Sequence, residues 1–250
     1  MKLHYEDRGD GSVILLLHGF TGSSADWLPL LPMLPEKHRY IIPDQRGHGR
    51  SLNPLDSYTH RQSALDVFEL LNELDISTFK ACGMSGGAMA LLHMATQQPK
   101  RLESMILVSP TTHYPPEARD IMALTDPDNQ PEAAWTAMRK KHAYGDDQII
   151  QLWKQANAFK DDSDDMAFGP DDLARIQART LIVHGDKAPL LPIDIPIAIY
   201  KNIPHSSLWI IPDGGHVPVF GDQMNFFFST ASQFFIQDRN DESPCCSENV

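Results

Sequence analysis

The chain has 250 residues, of which 42% are hydrophobic and 22% charged, and its formal net charge is −12 at pH 7. That length supports one large core or a core with one sizeable insertion. The acidic balance argues against a nucleic-acid partner or an anionic membrane surface, since both demand a basic face.

The first residues, Met1 to Arg8, contain no apolar run of the kind that opens a secretory signal, and the longest apolar run, Val13 to Leu17, is too short to span a bilayer. Of the three cysteines, Cys82 falls in an apolar run, while Cys245 and Cys246 fall in a polar tail. They form no disulfide framework, and a cytoplasmic location is the expectation.

Lys2 to Arg8 alternates weakly and ends at Gly9-Asp10-Gly11, a turn signal that predicts a hairpin arm with the following run. Val13-Ile-Leu-Leu-Leu17 has no polar alternation, as expected of a parallel strand covered on both faces, and it stops at His18-Gly19-Phe20. Trp27 to Leu34 predicts a helix with Pro29 and Pro32 near its ends. Tyr40-Ile-Ile-Pro43 is the next strand and opens into Asp44-Gln-Arg-Gly-His-Gly-Arg-Ser51.

Thr59, with Gln62 three residues on, predicts a helix N-cap ahead of an apolar face at Leu65, Phe68 and Leu71. Phe79 to Cys82 is a strand that breaks at Gly83-Met84-Ser85-Gly86-Gly87 and resumes as a helix from Ala88 to about Gln97. Met105 to Val108 is another strand. Strands alternating with helices predict an α/β fold with a mostly parallel central sheet and helices on both faces.

From Pro110 to Arg179 the composition shifts to prolines, two amphipathic segments (Glu132 to about His142, Asp146 to about Phe159) and the acidic run Asp161-Asp-Ser-Asp-Asp165. This stretch predicts a helical insertion, with the acidic run as a solvated loop or helix end; it lacks the spacing and glycine of a Ca²⁺ loop. Strands return at Thr180 to Val183 and Leu208 to Ile211, a last helix runs from about Gln223 to Ile236, and the tail from Asp238 is polar enough to be disordered.

Gly83-x-Ser85-x-Gly87 fits G-x-S-x-G, in which a serine sits on a sharp strand-to-helix turn and only small neighbours let the backbone bend that tightly. A serine nucleophile also needs a base, a group to orient that base, and donors for the developing oxyanion. His216, in a loop after the strand ending at Ile211, falls at the carboxyl edge of the sheet that also carries Ser85, and is the candidate base. His205 is the alternative, although it precedes its strand. The amides of Gly86, after the nucleophile, and Phe20, after an earlier strand, are the candidate oxyanion donors.

Taken together, His18-Gly-Phe20, Asp44-x-Arg-Gly-His-Gly-x-Ser51, Gly83-x-Ser-x-Gly87, His184-Gly-Asp186 and Gly215-His216 resemble the α/β-hydrolase family in content and order, over nearly the whole chain. The resemblance implies a hydrolase core at 1–110 and 179–238, a helical cap at 111–178 inserted after the sixth strand, and a tail at 239–250. It implies a serine hydrolase that cleaves a carboxylic ester or related acyl compound through an acyl-enzyme, with a small-molecule acyl substrate and neither metal nor organic cofactor. Serine at position 85 sets the chain apart from the family's epoxide hydrolases and haloalkane dehalogenases, which use aspartate there. Carbon–carbon bond and enol-lactone hydrolases share the same motifs.

One position departs from the pattern. In many similar members the acid that orients the histidine is the second acidic residue of His-Gly-Asp/Glu-x-Asp-x-x-x-Pro; aligned on His184 and Pro192, that place holds Ala188. Asp186 is the best carboxylate present, Asp194 and Asp213 are alternatives, and a chain without an acid is the remaining case. The last would make this a ligand-binding or signalling protein with impaired turnover. Trp135, Tyr144, Trp153 and Phe159 are candidate pocket aromatics, with packing the commoner role. Arg139, Lys140 and Lys141 are candidate partners for a substrate carboxylate or, more simply, a solvated helix face.

Overall fold

The computed structural model describes residues 1–55 and 57–236. Chain order begins β1 (Tyr5–Arg8), β2 (Ser12–Leu17), β3 (His38–Pro43), α1 (His60–Glu73), β4 (Phe79–Met84), α2 (Gly86–Gln97) and β5 (Leu102–Val108). Next come α3 (Pro116–Ala123), α4 (Glu132–Arg139), α5 (Asp146–Ala158) and the short α6 (Pro170–Leu173). The chain then re-enters the sheet through β6 (Arg179–Gly185), α7 (Asp194–Asn202), β7 (Ser206–Ile211) and α8 (Met224–Ile236).

The seven strands lie in the order β1-β3-β2-β4-β5-β6-β7. Every pairing is parallel except that of β1 with β3. The expected hairpin of the first two strands therefore does not form: both edges of β2 are occupied, by β3 and β4, and β1 is displaced to the sheet edge beyond β3. The apolar run in β2 is buried throughout from Ile14 to Leu17, as a central parallel strand requires.

Helices α1, α2 and α7 cover one face, packing Phe68, Leu71, Leu91 and Ile199 over Leu15, Leu17 and Ile182. The opposite face takes α8 and a 3₁₀ segment, with Phe227, Phe228, Trp27 and Leu30 against Ile14, Leu16 and Ile106. Trp27 to Leu34 thus forms a 3₁₀ turn, Leu28–Met33, preceded by another at Ser24–Asp26, in place of the expected helix, because Pro29 and Pro32 remove amide donors from a six-residue segment. The N-cap of α1 forms as expected, with Thr59 Oγ1 accepting from the Gln62 amide at 3.0 Å.

Between β5 and β6 the described residues form helices and 3₁₀ turns and no strand. This segment follows the fifth strand of the chain, not the sixth, a correction to the expected position. Its first helix, α3, and the later α7 are not among the elements expected from the sequence. The tail from 237 on, with Cys245 and Cys246, lies outside the described residues. No helix among the described residues is long and apolar enough to cross a membrane.

Candidate active site

Strand β4 ends and α2 begins within a single residue, Ser85, whose backbone is in the left-handed half of conformational space at φ 48° and ψ −116°. Such a conformation is costly for a residue with a side chain and persists only where the surroundings enforce it. Its neighbours show how tight the enforcement is. A Cβ on Gly83 would stand 2.5 Å from the Gly87 carbonyl oxygen, and one on Gly87 would stand 2.5 Å from the Leu17 carbonyl oxygen. Both glycines of the motif are needed for α2 to fold back across the end of β2, and Ser85 is left half-exposed at the carboxyl edge of the sheet.

His216 arrives from the loop after β7, and its Nε2 lies 2.8 Å from Ser85 Oγ. The loop is fastened below the ring, where the Ser109 hydroxyl donates to the His216 carbonyl. Burial, with a smaller contribution from His184, pushes the His216 pKa down to about 4. The ring is therefore neutral at pH 7 and has a free lone pair for a proton, as a general base requires.

The far side of the ring is different. His216 Nδ1 is buried and has no hydrogen-bond partner. Asp186, the carboxylate favoured from the sequence as the orienting acid, makes no bond to it: Asp186 Oδ1 is itself buried without a partner, and Oδ2 stands 3.8 Å from Lys187 Nζ. Asp194 and Asp213 are exposed and do not reach His216 either. The structure thus joins Ser85 to His216 and leaves Asp186 out of the constellation. His205 stays at the start of β7, its carbonyl accepting from the Thr180 amide, away from Ser85.

The Phe20 amide nitrogen lies 3.0 Å from the position a Cβ on Gly86 would take, so the amide-bearing segments at Phe20 and Gly86 meet beside Ser85. The loop that carries Phe20 is held by the Asp44 to Ser51 motif. Asp44 accepts from the amides of Ser24 (2.6 Å) and Arg50 (2.8 Å), Gln45 donates its amide to His18 Nε2 (3.0 Å), and His48 Nε2 accepts from the Thr21 amide (3.1 Å). Arg46 is locked in turn by a buried two-point ion pair with Asp66 of α1, at 2.6 and 2.9 Å. Asp44 and His48 thus hold the loop that carries Phe20, while Arg46 is engaged by Asp66.

A cavity of about 390 Å³ opens onto Ser85 and His216. Its walls are mostly apolar, with Met89, Met122, Trp153, Phe159 and Leu191 among them. Of the four aromatics considered from the sequence, Trp153 and Phe159 line the cavity; Trp135 packs edge-on against Trp153, and Tyr144 is half-exposed with its hydroxyl on the Arg50 carbonyl. Two of the three candidate cations are otherwise engaged: Arg139 pairs with Glu132 and Asp146, and Lys141 with Asp26.

A family model described as "Alpha/beta hydrolase family" matches residues 14–229. The chain belongs to the α/β-hydrolase family. Over 90% of its length it is 27% identical to a Synechocystis protein provisionally named a non-heme chloroperoxidase, covering 92% of that protein. It is also 27% identical to the human serine hydrolase BPHL, over 86% of this chain and 77% of that one. Among solved structures, MGS-M2, an α/β-hydrolase enzyme from a Medee basin deep-sea metagenome library, superposes with a TM-score of 0.78 at 20% identity, covering 96% of each chain. These likenesses support a hydrolase; at such identities the structural one speaks for the fold alone.

Proposed function

We propose that this α/β-hydrolase family member cleaves carboxylic esters or related acyl compounds through a Ser85 acyl-enzyme. The observation that carries the proposal is the 2.8 Å approach of Ser85 Oγ to a neutral His216 Nε2 at the mouth of an apolar cavity. Ser85 Oγ attacks the acyl carbon while His216 Nε2 takes its proton, and the Phe20 and Gly86 amides receive the oxyanion. The intermediate collapses as the imidazolium returns that proton to the leaving alkoxide. A water, deprotonated by His216, then attacks the acyl carbon, the acid is released, and the proton goes back to Ser85 Oγ.

The unpartnered His216 Nδ1 favours a second function, that of a protein which binds acyl compounds and turns them over slowly. An imidazolium formed during attack would have no carboxylate behind it, and disrupting that support in a serine triad lowers turnover about 10⁴-fold. Assays with p-nitrophenyl acetate and butyrate, run beside Ser85→Ala, separate the two. Ser85-dependent turnover is expected. Its absence in both the wild type and Ala188→Asp would refute the enzyme and leave the binding protein.

A further inference from the structure

Two lining side chains of the cavity have a buried ring nitrogen without a partner: His216 Nδ1, on the side away from Ser85, and His60 Nε2. His60 is the first residue of α1 and is 1% exposed. Its Nε2 lies 3.5 Å from where a Cβ on Gly86 would stand, beside the proposed oxyanion donors. Its other nitrogen, Nδ1, lies 2.9 Å from Asp165 Oδ2.

Asp165 comes from the acidic run expected from the sequence to be a solvated loop or helix end, yet it is buried. Besides the His60 ring it accepts from the backbone amides of His60 (2.6 Å) and Arg61 (2.9 Å) at the start of α1, while His93 Nε2 stands 3.2 Å from its other oxygen. Burial alone would raise its pKa, but the hydrogen bonds from His60 and His93 outweigh burial and hold the carboxyl well below the usual range. The carboxylate therefore keeps a proton on His60 Nδ1 and fixes the ring plane. An acid–histidine pair is built into the cavity wall, and its outer nitrogen, Nε2, is left without a partner beside Gly86. Around it the wall is aromatic and apolar, with Phe159 at 5.0 Å between ring centroids.

A buried ring nitrogen without a partner is costly, and on a residue that lines the cavity a bound ligand can satisfy it. We propose that His60, oriented by Asp165, is a specificity-determining contact that selects acyl groups bearing a hydroxyl one or two carbons from the reacting carbonyl, over plain alkanoyl groups. A hydroxyl suits this position because it can donate to the neutral ring and accept from the protonated one. Sites that hydrogen-bond a substrate hydroxyl discriminate strongly against the analogue that lacks it. The proposal rests on the acyl-hydrolase function above.

The test compares p-nitrophenyl butyrate with its 2- and 3-hydroxybutyrate counterparts. The wild type is expected to favour at least one hydroxy ester about tenfold or more in kcat/KM. His60→Leu should bring that ratio near one, and His60→Gln, which keeps a hydrogen-bonding group, should retain part of it. A merely structural role for His60 would lower all three rates in proportion and leave the ratio intact, which overturns the proposal, as does a wild type with no preference. Dissociation constants of the same esters on Ser85→Ala read the contact without turnover. A protein that hydrolyses none of them but still binds the hydroxy ester tighter in a His60-dependent way would refute the hydrolase and keep His60. Should His60→Leu fail to fold, ¹⁵N NMR of the imidazole in Ser85→Ala decides: the Nε2 resonance is expected to move on adding the hydroxy ester and not the plain one, and equal movement overturns the proposal.

Discussion

Ser85 Oγ stands 2.8 Å from His216 Nε2, while the opposite nitrogen of the same ring meets no acceptor in its buried surroundings. In the proposed mechanism the base and nucleophile are in contact, and no carboxylate among the described residues bonds the other ring nitrogen. The place where similar proteins carry the acid holds Ala188, on the turn after β6, with its amide donating to the Gly185 carbonyl at 3.2 Å.

Ala188→Asp is therefore expected to raise kcat/KM for p-nitrophenyl butyrate at least about tenfold, since the carboxylate would stabilise the imidazolium formed on attack. It should also move the acid limb of the pH–rate profile. A nearby carboxylate favours the charged ring, so the His216 pKa, about 4 in the present chain, should rise towards the ordinary histidine range. Rate profiles from pH 4 to 8 check both; an unchanged rate and limb would mean that residue 188 does not reach the ring.

Three buried histidines around the loop that carries Phe20 require the neutral state. His18, His48 and His142 each accept a backbone N–H with one ring nitrogen (from Gln45, Thr21 and Gly49) and face a carbonyl oxygen with the other (Gly19, Arg46 and Thr21). Burial lowers all three pKa values, that of His142 to about 4. The unfolded chain, with histidines near 6.5, binds more protons below that pH than the folded one. Stability present above pH 6.5 should thus be lost as pH falls towards 4, by up to about 1.4 kcal/mol per pH unit for each such histidine. Urea denaturation between pH 7.5 and 4.5 measures the slope, and His142→Gln should flatten it.

The Arg46–Asp66 pair is fully enclosed, so removing one partner strands a buried charge. Asp66→Ala should cost about 3–5 kcal/mol in denaturant unfolding and should loosen the loop that carries Phe20. A loss below about 1 kcal/mol would mean that the pair is hydrated in solution.

Local sequence signals located several of these features because their causes are local. The elbow at Ser85 was legible since tight backbone contact excludes side chains at Gly83 and Gly87, and the α1 cap was legible since Thr59 bonds an amide three residues on. Asp165 was misread for the opposite reason. In sequence it belongs to a charge run, and only the packing of 109–178 on α1 brings it 2.9 Å from His60, 105 residues away. The segment Leu28–Met33 forms a 3₁₀ turn where a helix is expected because Pro29 and Pro32 remove amide donors.

By itself the sequence determined the parallel α/β core, the strained serine, the histidine on the same sheet edge and the absence of a carboxylate at position 188, since each follows from residue type and order along the chain. The tertiary structure decided that Asp186 makes no hydrogen bond to His216, that β1 pairs with β3, and that a second histidine, His60, lines the cavity. Those outcomes depend on distances between segments far apart in sequence, set when the two faces of the sheet and the segment between β5 and β6 pack against it.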